Sequence, residues 1–212
     1  MKLISYYTET HEILLNKFFI PSIKSEDNFD LRLKKGVQHS EDGNYFSRGF
    51  NLATRDKIEF LYEQLNSSDE NEFVLFSDVD IIFLKPIMDY LKTYQSYDAV
   101  FQKGYDFLNT GFFMVKNTEE IRDLFNLSIE KIPNHHDDQE VINKLILDTK
   151  INYTTFGDEI LNPAAIIGKK IWSGEEFILP KKTILFHACW CAGIDNKIKF
   201  LEYVRDNKTI TT

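Results

Sequence analysis

The sequence predicts an α/β sandwich built around a mixed, mainly parallel central sheet. Strand and helix patterns alternate through the first part of the chain in the order β-α-β-α-β, which is typical of parallel strands with helices on their faces. The run 73–76 is short, apolar and unbroken, as expected for a strand that is buried on both faces. The later sequence alternates less regularly, which favours a mixed sheet over a purely parallel one. A chain of 212 residues is expected to form one domain with a substantial core.

The first half of the chain is predicted to begin with a strand and a capped helix. Thr8 or Thr10 can cap this helix, and Pro21 is expected to terminate it. A polar loop is predicted around Gly43. In chain order, the predicted elements are strands at 2–8 and 29–34, an amphipathic helix at 50–65 and the strand that leads into Asp78.

The second half is predicted to contain two helices with capping boxes at their starts. Asn117 with Glu120 forms the first box, and Asp137 with Glu140 forms the second. In chain order, the predicted elements are a helix at 88–94, a strand at 99–102, a turn at 109–111, a strand at 112–116, helices at 118–132 and 138–147, and strands at 151–155 and 184–187.

Charge and cysteine usage exclude several classes of function. The formal net charge of −8 argues against binding to nucleic acid or to an anionic membrane, although a nucleoside diphosphate could still bind through a metal. The chain has no apolar run of signal-peptide or transmembrane length, so membrane insertion is not expected. Cys189 and Cys191 are too close for an ordinary disulfide and lack the second pair of a structural zinc site, which indicates a reducing compartment such as the cytoplasm.

Two carboxylates, Asp78 and Asp80, directly follow the apolar run and are separated by one valine. In an extended chain residues i and i+2 point to the same side, and ligands of open α/β sheets bind beyond the carboxyl ends of strands. Two carboxylates this close repel each other unless a cation or protons neutralise them. The pattern therefore predicts a metal–diphosphate site. The alternative, a pair of solvated turn residues, is disfavoured because the apolar run 81–84 follows immediately.

A histidine, His187, ends another apolar strand. Alone it would more often be a structural residue, but beside the two aspartates it becomes a candidate third ligand. Two carboxylates and one imidazole suit Mn²⁺ or Mg²⁺ that bridges a diphosphate. Lys197 follows Gly193 in a predicted turn, where its ammonium could neutralise a departing phosphate. A solvated surface lysine is the alternative for Lys197.

Further segments offer groups that suit a sugar nucleotide. Asp138 and Gln139 stand at a predicted helix start and are expected to point towards the reacting sugar carbon, although a helix start also accounts for acidic residues by itself. Asn109 belongs to an Asn-Thr-Gly triplet that is either a sugar-binding segment or a plain turn. The remaining candidates are Tyr6, Tyr7 and Thr8, where an aromatic ring could stack on a nucleobase, and Arg55 and Lys57, which face either phosphates or solvent.

Four segments in this order resemble the motifs of nucleotide-diphosphosugar glycosyltransferases of the GT-A fold. They are 76–86, similar to the acidic metal-binding motif; 108–117, similar to the acceptor-side turn and strand; 137–143, similar to the Asp-Gln helix start; and 187–197, similar to the carboxyl-terminal metal and phosphate motif. Within this family the chain resembles retaining glycogenin-like and plant xylosyl- and arabinosyltransferases. It also resembles the amino-terminal transferase domain of a chlorella-virus multidomain glycosyltransferase.

The resemblance implies a GT-A (Rossmann-like) α/β/α sandwich and metal-dependent transfer from a UDP-sugar, such as UDP-glucose, to a glycan or other hydroxyl acceptor with retention. The donor-binding half would be residues 1–100, and the acceptor and metal half residues 101–212. A viral origin would place the enzyme in the host cytoplasm, and further domains could follow in a longer chain. The implied roles are Mn²⁺ or Mg²⁺ binding for Asp78, Asp80 and His187, uridine binding for Tyr6 to Thr8, donor-sugar contacts for Asn109, Asp138 and Gln139, and diphosphate contacts for Gly193 and Lys197.

Two alternatives stay open from the sequence. In a phosphohydrolase of the haloacid-dehalogenase type, Asp78 would be phosphorylated and Asp80 would be the acid/base. That motif usually lies near the amino terminus and carries Thr or Val where this chain has Ile82. A non-catalytic nucleotide-sugar-binding module is the other alternative. The chain is also short for the family and carries little sequence for an acceptor subdomain.

Overall fold

A six-stranded sheet forms the centre of the molecule. The computed structural model describes residues 1–41, 43–45, 47–168 and 170–206. The strands are β1 (Lys2–Tyr7), β2 (Asp30–Lys35), β3 (Phe73–Ser77), β4 (Ile81–Phe83), β5 (Ala99–Lys103), β6 (Leu108–Lys116), β7 (Tyr153–Thr155), β8 (Ile160–Leu161) and β9 (Leu185–His187). The central sheet has the order β2-β1-β3-β6-β5-β7, and β4-β9-β8 form a second, smaller sheet. β6 runs antiparallel to both of its neighbours, whereas the other three pairings of the central sheet are parallel.

Helices cover both faces of the central sheet. They are α1 (residues 9–22), α2 (Phe50–Asn66), α3 (Met88–Lys92), α4 (Glu119–Lys131), α5 (Asp138–Leu145), α6 (Ala164–Ile167) and α7 (Ile194–Asp206). Side chains alternate between faces along each strand, so Val74 and Phe76 pack into one core with α2, α4 and α5. Leu75 packs into the other core with α1, α7 and the small sheet. The predicted α/β/α sandwich with a mixed, mainly parallel sheet is confirmed. None of the described helices has the length and apolar character needed to cross a membrane.

The small sheet brings the end of β9 to the end of β3. After β3 the chain leaves the central sheet, and β4 pairs antiparallel with β9, with Ile81 opposite His187. The backbone N–H of Ala188 donates to the carbonyl of Asp80 at 2.9 Å. This pairing places a histidine from the end of the chain directly beside an aspartate more than a hundred positions earlier.

The predicted turn at 109–111 is wrong, because these residues belong to β6. The register between β5 and β6 shifts after Phe101, so that Gln102 pairs with Asn109 and residues 110–112 of β6 have no partner on β5. Asn-Thr-Gly resembles a turn by composition. In this fold Asn109 pairs with Gln102, and the absence of a side chain at Gly111 leaves room for His187 and Asp78.

Two helix starts differ from their predictions. The side chain of Thr118, one residue after the predicted Asn117, caps α4 by accepting from the N–H of Ile121. Asn117 is buried, and its amide instead donates to the carbonyl of Leu65 in the last turn of α2 at 3.0 Å and to those of Ser68 and Asp69 in the loop that follows. The hydroxyl of Thr8 does not cap α1 but lies 3.3 Å from Nδ1 of His11.

Pro21 does not end the first helix. α1 continues to Ser22 and widens into a π-type turn over Leu15–Phe19, immediately before the proline. Proline has no N–H to donate and its ring crowds the preceding turn, so a wider turn accommodates it within the helix.

Candidate active site

A cavity of about 410 Å³ opens beyond the carboxyl ends of β1 and β3. This is the edge at which ligands bind in open α/β sheets. Loops before α2 and before α7 close its sides. The predicted site residues that line it are Tyr6, Tyr7, Thr8, Lys57, Asp78, Asp80, Asn109, Asp138, Gln139, His187 and Lys197.

Asp78, Asp80 and His187 meet in this cavity. One ligand atom from each lies within 4.8 Å of the others. Nε2 of His187 is 3.2 Å from Oδ1 of Asp80, and both side chains are buried. Two carboxylate oxygens and one imidazole nitrogen are ligands that Mn²⁺ and Mg²⁺ accept, and buried carboxylates need a compensating charge. The residues present therefore fit a divalent cation.

Gly111 leaves the space in which these ligands come together. A Cβ atom at this position would lie 2.3 Å from Cε1 of His187 and 2.8 Å from Oδ2 of Asp78. The carbonyl of Gly111 also accepts from the backbone N–H of Asp78 at 2.7 Å. The glycine therefore fixes the start of the acidic motif and makes room for its histidine partner.

Two lysines balance the acidic groups. Nζ of Lys197 lies 2.6 Å from Oδ2 of Asp80, and Nζ of Lys57 lies 2.6 Å from Oδ2 of Asp138 and 3.8 Å from Oδ1 of Asp78. Lys57 is itself buried and also donates to the carbonyl of Thr110 at 3.3 Å. The predicted alternative of a solvated Lys57 is thus not what the structure shows.

The same contacts set the charge states. Burial raises the pKa of Asp78 above its ordinary value against the attraction of Lys57. Burial also opposes ionisation of Asp80, but the positive charges of Lys197 and His187 outweigh it, and the pKa of Asp80 lies well below its usual range. Burial raises the pKa of Asp138, again against Lys57. Asp80 is therefore the firmly charged member of the cluster.

The residues at the start of α5 also line the cavity. Asp137 caps this helix by accepting from the N–H of Glu140 at 2.7 Å, as the sequence predicted. The cap orients the next two side chains inwards. Asp138 forms the ion pair with Lys57, and Oε1 of Gln139 accepts from the N–H of Thr110 at 3.4 Å. Asn109 lies between these groups and the acidic pair, with its Oδ1 accepting from the N–H of Gly111 at 2.9 Å.

The end of β1 borders the other wall. The hydroxyl of Tyr6 lies 3.4 Å from Oδ2 of Asp56, and Gly36 provides the space for the ring. Burial, followed by the charge of Asp56, raises the pKa of Tyr6. Tyr7 is only partly buried and Thr8 is buried at the cavity edge.

Two predicted residues do not line the cavity. The guanidinium of Arg55 pairs with Glu59 one turn along α2. Gly193 has a positive φ of 81° immediately before α7, and its carbonyl accepts from the N–H of Lys197 at 3.1 Å. Lys197 therefore lies in the first helical turn of α7, whereas the sequence predicted a turn outside any helix at this position.

Two residues at or behind the site were not predicted from the sequence. Gln102 is fully buried, and its Oε1 lies 2.6 Å from Nδ1 of His187. A polar residue that ends the apolar strand 99–102 was a usable signal, of the same kind as Asp80 after β3. His11 lines the cavity beside Thr8 and Thr10, and burial lowers its pKa to about 4, with the charge of Lys197 adding to the effect. No local sequence pattern marks His11 as a residue of the cavity.

Sequence comparison agrees with this geometry. The family model described as nucleotide-diphospho-sugar transferase matches residues 23–201, which is most of the chain. The chain belongs to the nucleotide-diphospho-sugar transferase family. The matched residues include the three candidate metal ligands Asp78, Asp80 and His187, and they also include Lys57 and Lys197. The search of curated proteins returned no match.

Solved structures show the same fold for the transferase at low sequence identity. A glycosyltransferase involved in glycosylation of the major capsid of PBCV-1 is 12% identical, with a TM-score of 0.61 over 95% of this chain and 99% of that one. Galactosyltransferase LgtC, solved with donor and acceptor sugar analogs, is 13% identical, with a TM-score of 0.57 over 100% of this chain and 98% of that one. Mouse xyloside xylosyltransferase 1 is 8% identical, with a TM-score of 0.53 over 89% of this chain and 97% of that one.

These findings confirm the predicted GT-A fold and the assignment of the transferase to the glycosyltransferases. They give no support to the haloacid-dehalogenase alternative. In the transferase, Asp78 and Asp80 follow the third strand of the chain, and their partners are a histidine and two lysines.

Proposed function

We propose that the transferase moves a sugar from a UDP-sugar, such as UDP-glucose, to a hydroxyl group of a glycan acceptor, with retention of anomeric configuration. Asp78, Asp80 and His187 would hold Mn²⁺ or Mg²⁺. The observation that carries the proposal is the convergence of these three ligands within 4.8 Å in a cavity at the sheet edge, with Lys197 beside them. A bound divalent cation would neutralise charge on the leaving diphosphate.

Lys197 is placed to stabilise the leaving group directly. Its ammonium lies 2.6 Å from Asp80, so a small change of side-chain torsion would bring it to a diphosphate held at the same carboxylate. A preorganised cation stabilises charge where that charge develops in the transition state. The N-terminus of α7, with Gly193 before it, adds backbone N–H groups on the same side.

The donor nucleotide would lie against the end of β1. Tyr7 and Thr8 border the cavity there, and the ring of Tyr6 is fixed by Asp56. We assign the uridine to this wall and the donor side to residues 1–100, with the acceptor on the side of residues 101–212. Phe107 and Trp190 line the cavity on that acceptor side and offer apolar faces to a sugar ring.

The reacting sugar would lie between the acidic cluster and the start of α5. Glycosyl transfer passes through an oxocarbenium-like state, as glycoside hydrolysis does. Asn109 offers an amide to sugar hydroxyls, and Asp138 and Gln139 face the anomeric carbon from the side opposite the leaving diphosphate. The ion pair with Lys57 fixes the position of Asp138 and favours its charged form against the effect of burial. In a retaining transfer on one face of the sugar, the acceptor would approach from the side of the leaving diphosphate, and Asp138 and Gln139 would line the opposite face.

We place the transferase in the cytoplasm. Cys189 and Cys191 are free thiols that line the cavity, and a reducing compartment preserves them in that state.

Calorimetry tests the proposed donor and metal. We expect UDP to bind at least tenfold more tightly with Mn²⁺ than with EDTA, and we expect one UDP-sugar of a panel to release UDP slowly by hydrolysis. Metal-independent UDP binding would contradict the proposed metal site. Metal-dependent binding without turnover of any UDP-sugar, alone or with glycan acceptors, would favour the non-catalytic module.

Gln139→Ala is expected to lower kcat about 100-fold while changing the affinity for UDP–Mn²⁺ less than threefold. The side chain faces the proposed position of the sugar, and among the described residues its hydrogen-bond partner is the N–H of Thr110. Its removal should therefore weaken stabilisation of the transition state more than binding of the nucleotide. The measurement is a comparison of single-turnover rates with calorimetric affinities. Equal losses in both would make Gln139 a structural residue of the helix start.

A further inference from the structure

Gln102 bonds the imidazole of His187 on the ring nitrogen that faces away from Asp80. Oε1 of Gln102 lies 2.6 Å from Nδ1 of His187, and both residues are buried. Gln102 stands opposite Asn109 of β6, at the point where the register between β5 and β6 shifts.

The orientation of the Gln102 amide follows from its second contact. Its Nε2 donates to the carbonyl of Leu161 in β8 at 3.3 Å. A carbonyl can only accept, so the amide nitrogen must face Leu161 and the amide oxygen must face the imidazole. Nδ1 of His187 therefore carries a proton and donates it to Gln102.

This proton fixes the chemistry of the opposite ring nitrogen. With Nδ1 donating to Gln102, Nε2 is the ring nitrogen that faces Oδ1 of Asp80 at 3.2 Å. In the imidazolium Nε2 donates to that carboxylate, and its lone pair becomes available to a cation once this second proton is released. A side chain that held Nδ1 less firmly would let the ring rotate or adopt the other tautomer. Either change would withdraw the nitrogen donor from the two carboxylates.

We propose that Gln102 is a positioning residue that fixes the tautomer and ring plane of His187, so that Nε2 serves as the third ligand of a divalent cation. The inference rests on the proposed metal site. Partners of metal-bound histidines typically change metal affinity by about 10- to 100-fold. Gln102 also ties β5 of the central sheet to β8 of the small sheet, and His187 enters the site from that small sheet.

The test is a Mn²⁺ titration of the purified full chain, followed by electron paramagnetic resonance in the presence of UDP. Gln102→Met keeps the length of the side chain and removes its acceptor, and we expect Mn²⁺ affinity to fall about 10- to 100-fold. Gln102→Glu restores an acceptor for Nδ1, and we expect its affinity to stay within about tenfold of the parent. UDP affinity in EDTA should be the same in all three proteins.

Asn162→Leu is the matched control. Asn162 is buried and donates to the carbonyl of Lys103, the neighbour of Gln102 on β5, at 2.8 Å. The change removes a comparable buried hydrogen bond, so we expect a lower Tm with unchanged Mn²⁺ affinity. Equal Mn²⁺ affinity of Gln102→Met and the parent, or equal losses in Gln102→Met and Asn162→Leu, would overturn the positioning role alone. A parent protein that does not bind Mn²⁺ would overturn the metal site and the positioning role together.

Discussion

Asp80→Asn is expected to abolish metal-dependent binding of the UDP-sugar and to lower kcat about 10³-fold, equivalent to about 4 kcal/mol of transition-state stabilisation. Asp80 is the ionised centre of the cluster, in contact with both His187 and Lys197. An amide at this position keeps the shape and still accepts from Lys197, but it is a poor ligand for a hard cation. The fold should therefore survive, and calorimetry with UDP and Mn²⁺ measures the loss.

Asp89→Asn provides the control for Asp80→Asn. Asp89 is highly exposed at the start of α3 and pairs with Lys92 three residues later. Exposed pairs of this kind contribute little, so this variant should bind and turn over the donor as the parent does. If Asp80→Asn retains parental affinity for UDP–Mn²⁺ with a parental circular dichroism spectrum, the metal assignment is wrong.

Gly111→Ala is expected to lower kcat by about 100-fold or more and to weaken Mn²⁺ binding. The added methyl group would meet Cε1 of His187 at 2.3 Å and Oδ2 of Asp78 at 2.8 Å, so at least one ligand must move. Displacement of a catalytic group by about 1 Å commonly costs about 100-fold in rate. The imidazole of His187 is buried and already bonded to Gln102, so it has little freedom to move away from the added methyl group. Steady-state kinetics and a Mn²⁺ titration measure the two effects.

Gly157→Ala tests whether this effect is local to the site. A Cβ at Gly157 would approach Oε2 of Glu159 at 2.7 Å, and that atom is the far end of a flexible side chain away from the cavity. We expect kcat and Mn²⁺ affinity within about twofold of the parent. A similar loss in both glycine variants would mean that Gly111→Ala acts through general destabilisation.

The sequence supplied those parts of the site that depend on neighbours in the chain. The sequence predicted from the alternation of an extended segment that Asp78 and Asp80 meet, although residues 79–80 form a bend in the structure. It also predicted that Asp137 caps α5, because its partner lies three residues on. The order of four motifs was enough to give the family and the fold. These inferences need only local geometry and the rule that ligands bind at strand ends.

Other contacts depended on how distant segments pack. Gln102 and His187 are 85 positions apart, and Lys57 and Asp138 come from two different helices. The Asn-Thr-Gly triplet shows the opposite case, since its composition favours a turn but it lies within β6, at the shift of register against β5. Arg55 and Lys57 are two residues apart on one helix, yet only Lys57 reaches the cavity.

By itself the sequence determined the layered α/β architecture, the acidic pair and the presence of a histidine and a lysine suited to a diphosphate. Only the tertiary structure decided which nitrogen of His187 faces the carboxylates, which lysine pairs with which aspartate and why residue 111 is a glycine. The physical reason is that periodicity and capping are properties of short segments. Ring orientation, charge pairing and excluded volume arise where β4 and β9 bring remote segments into contact.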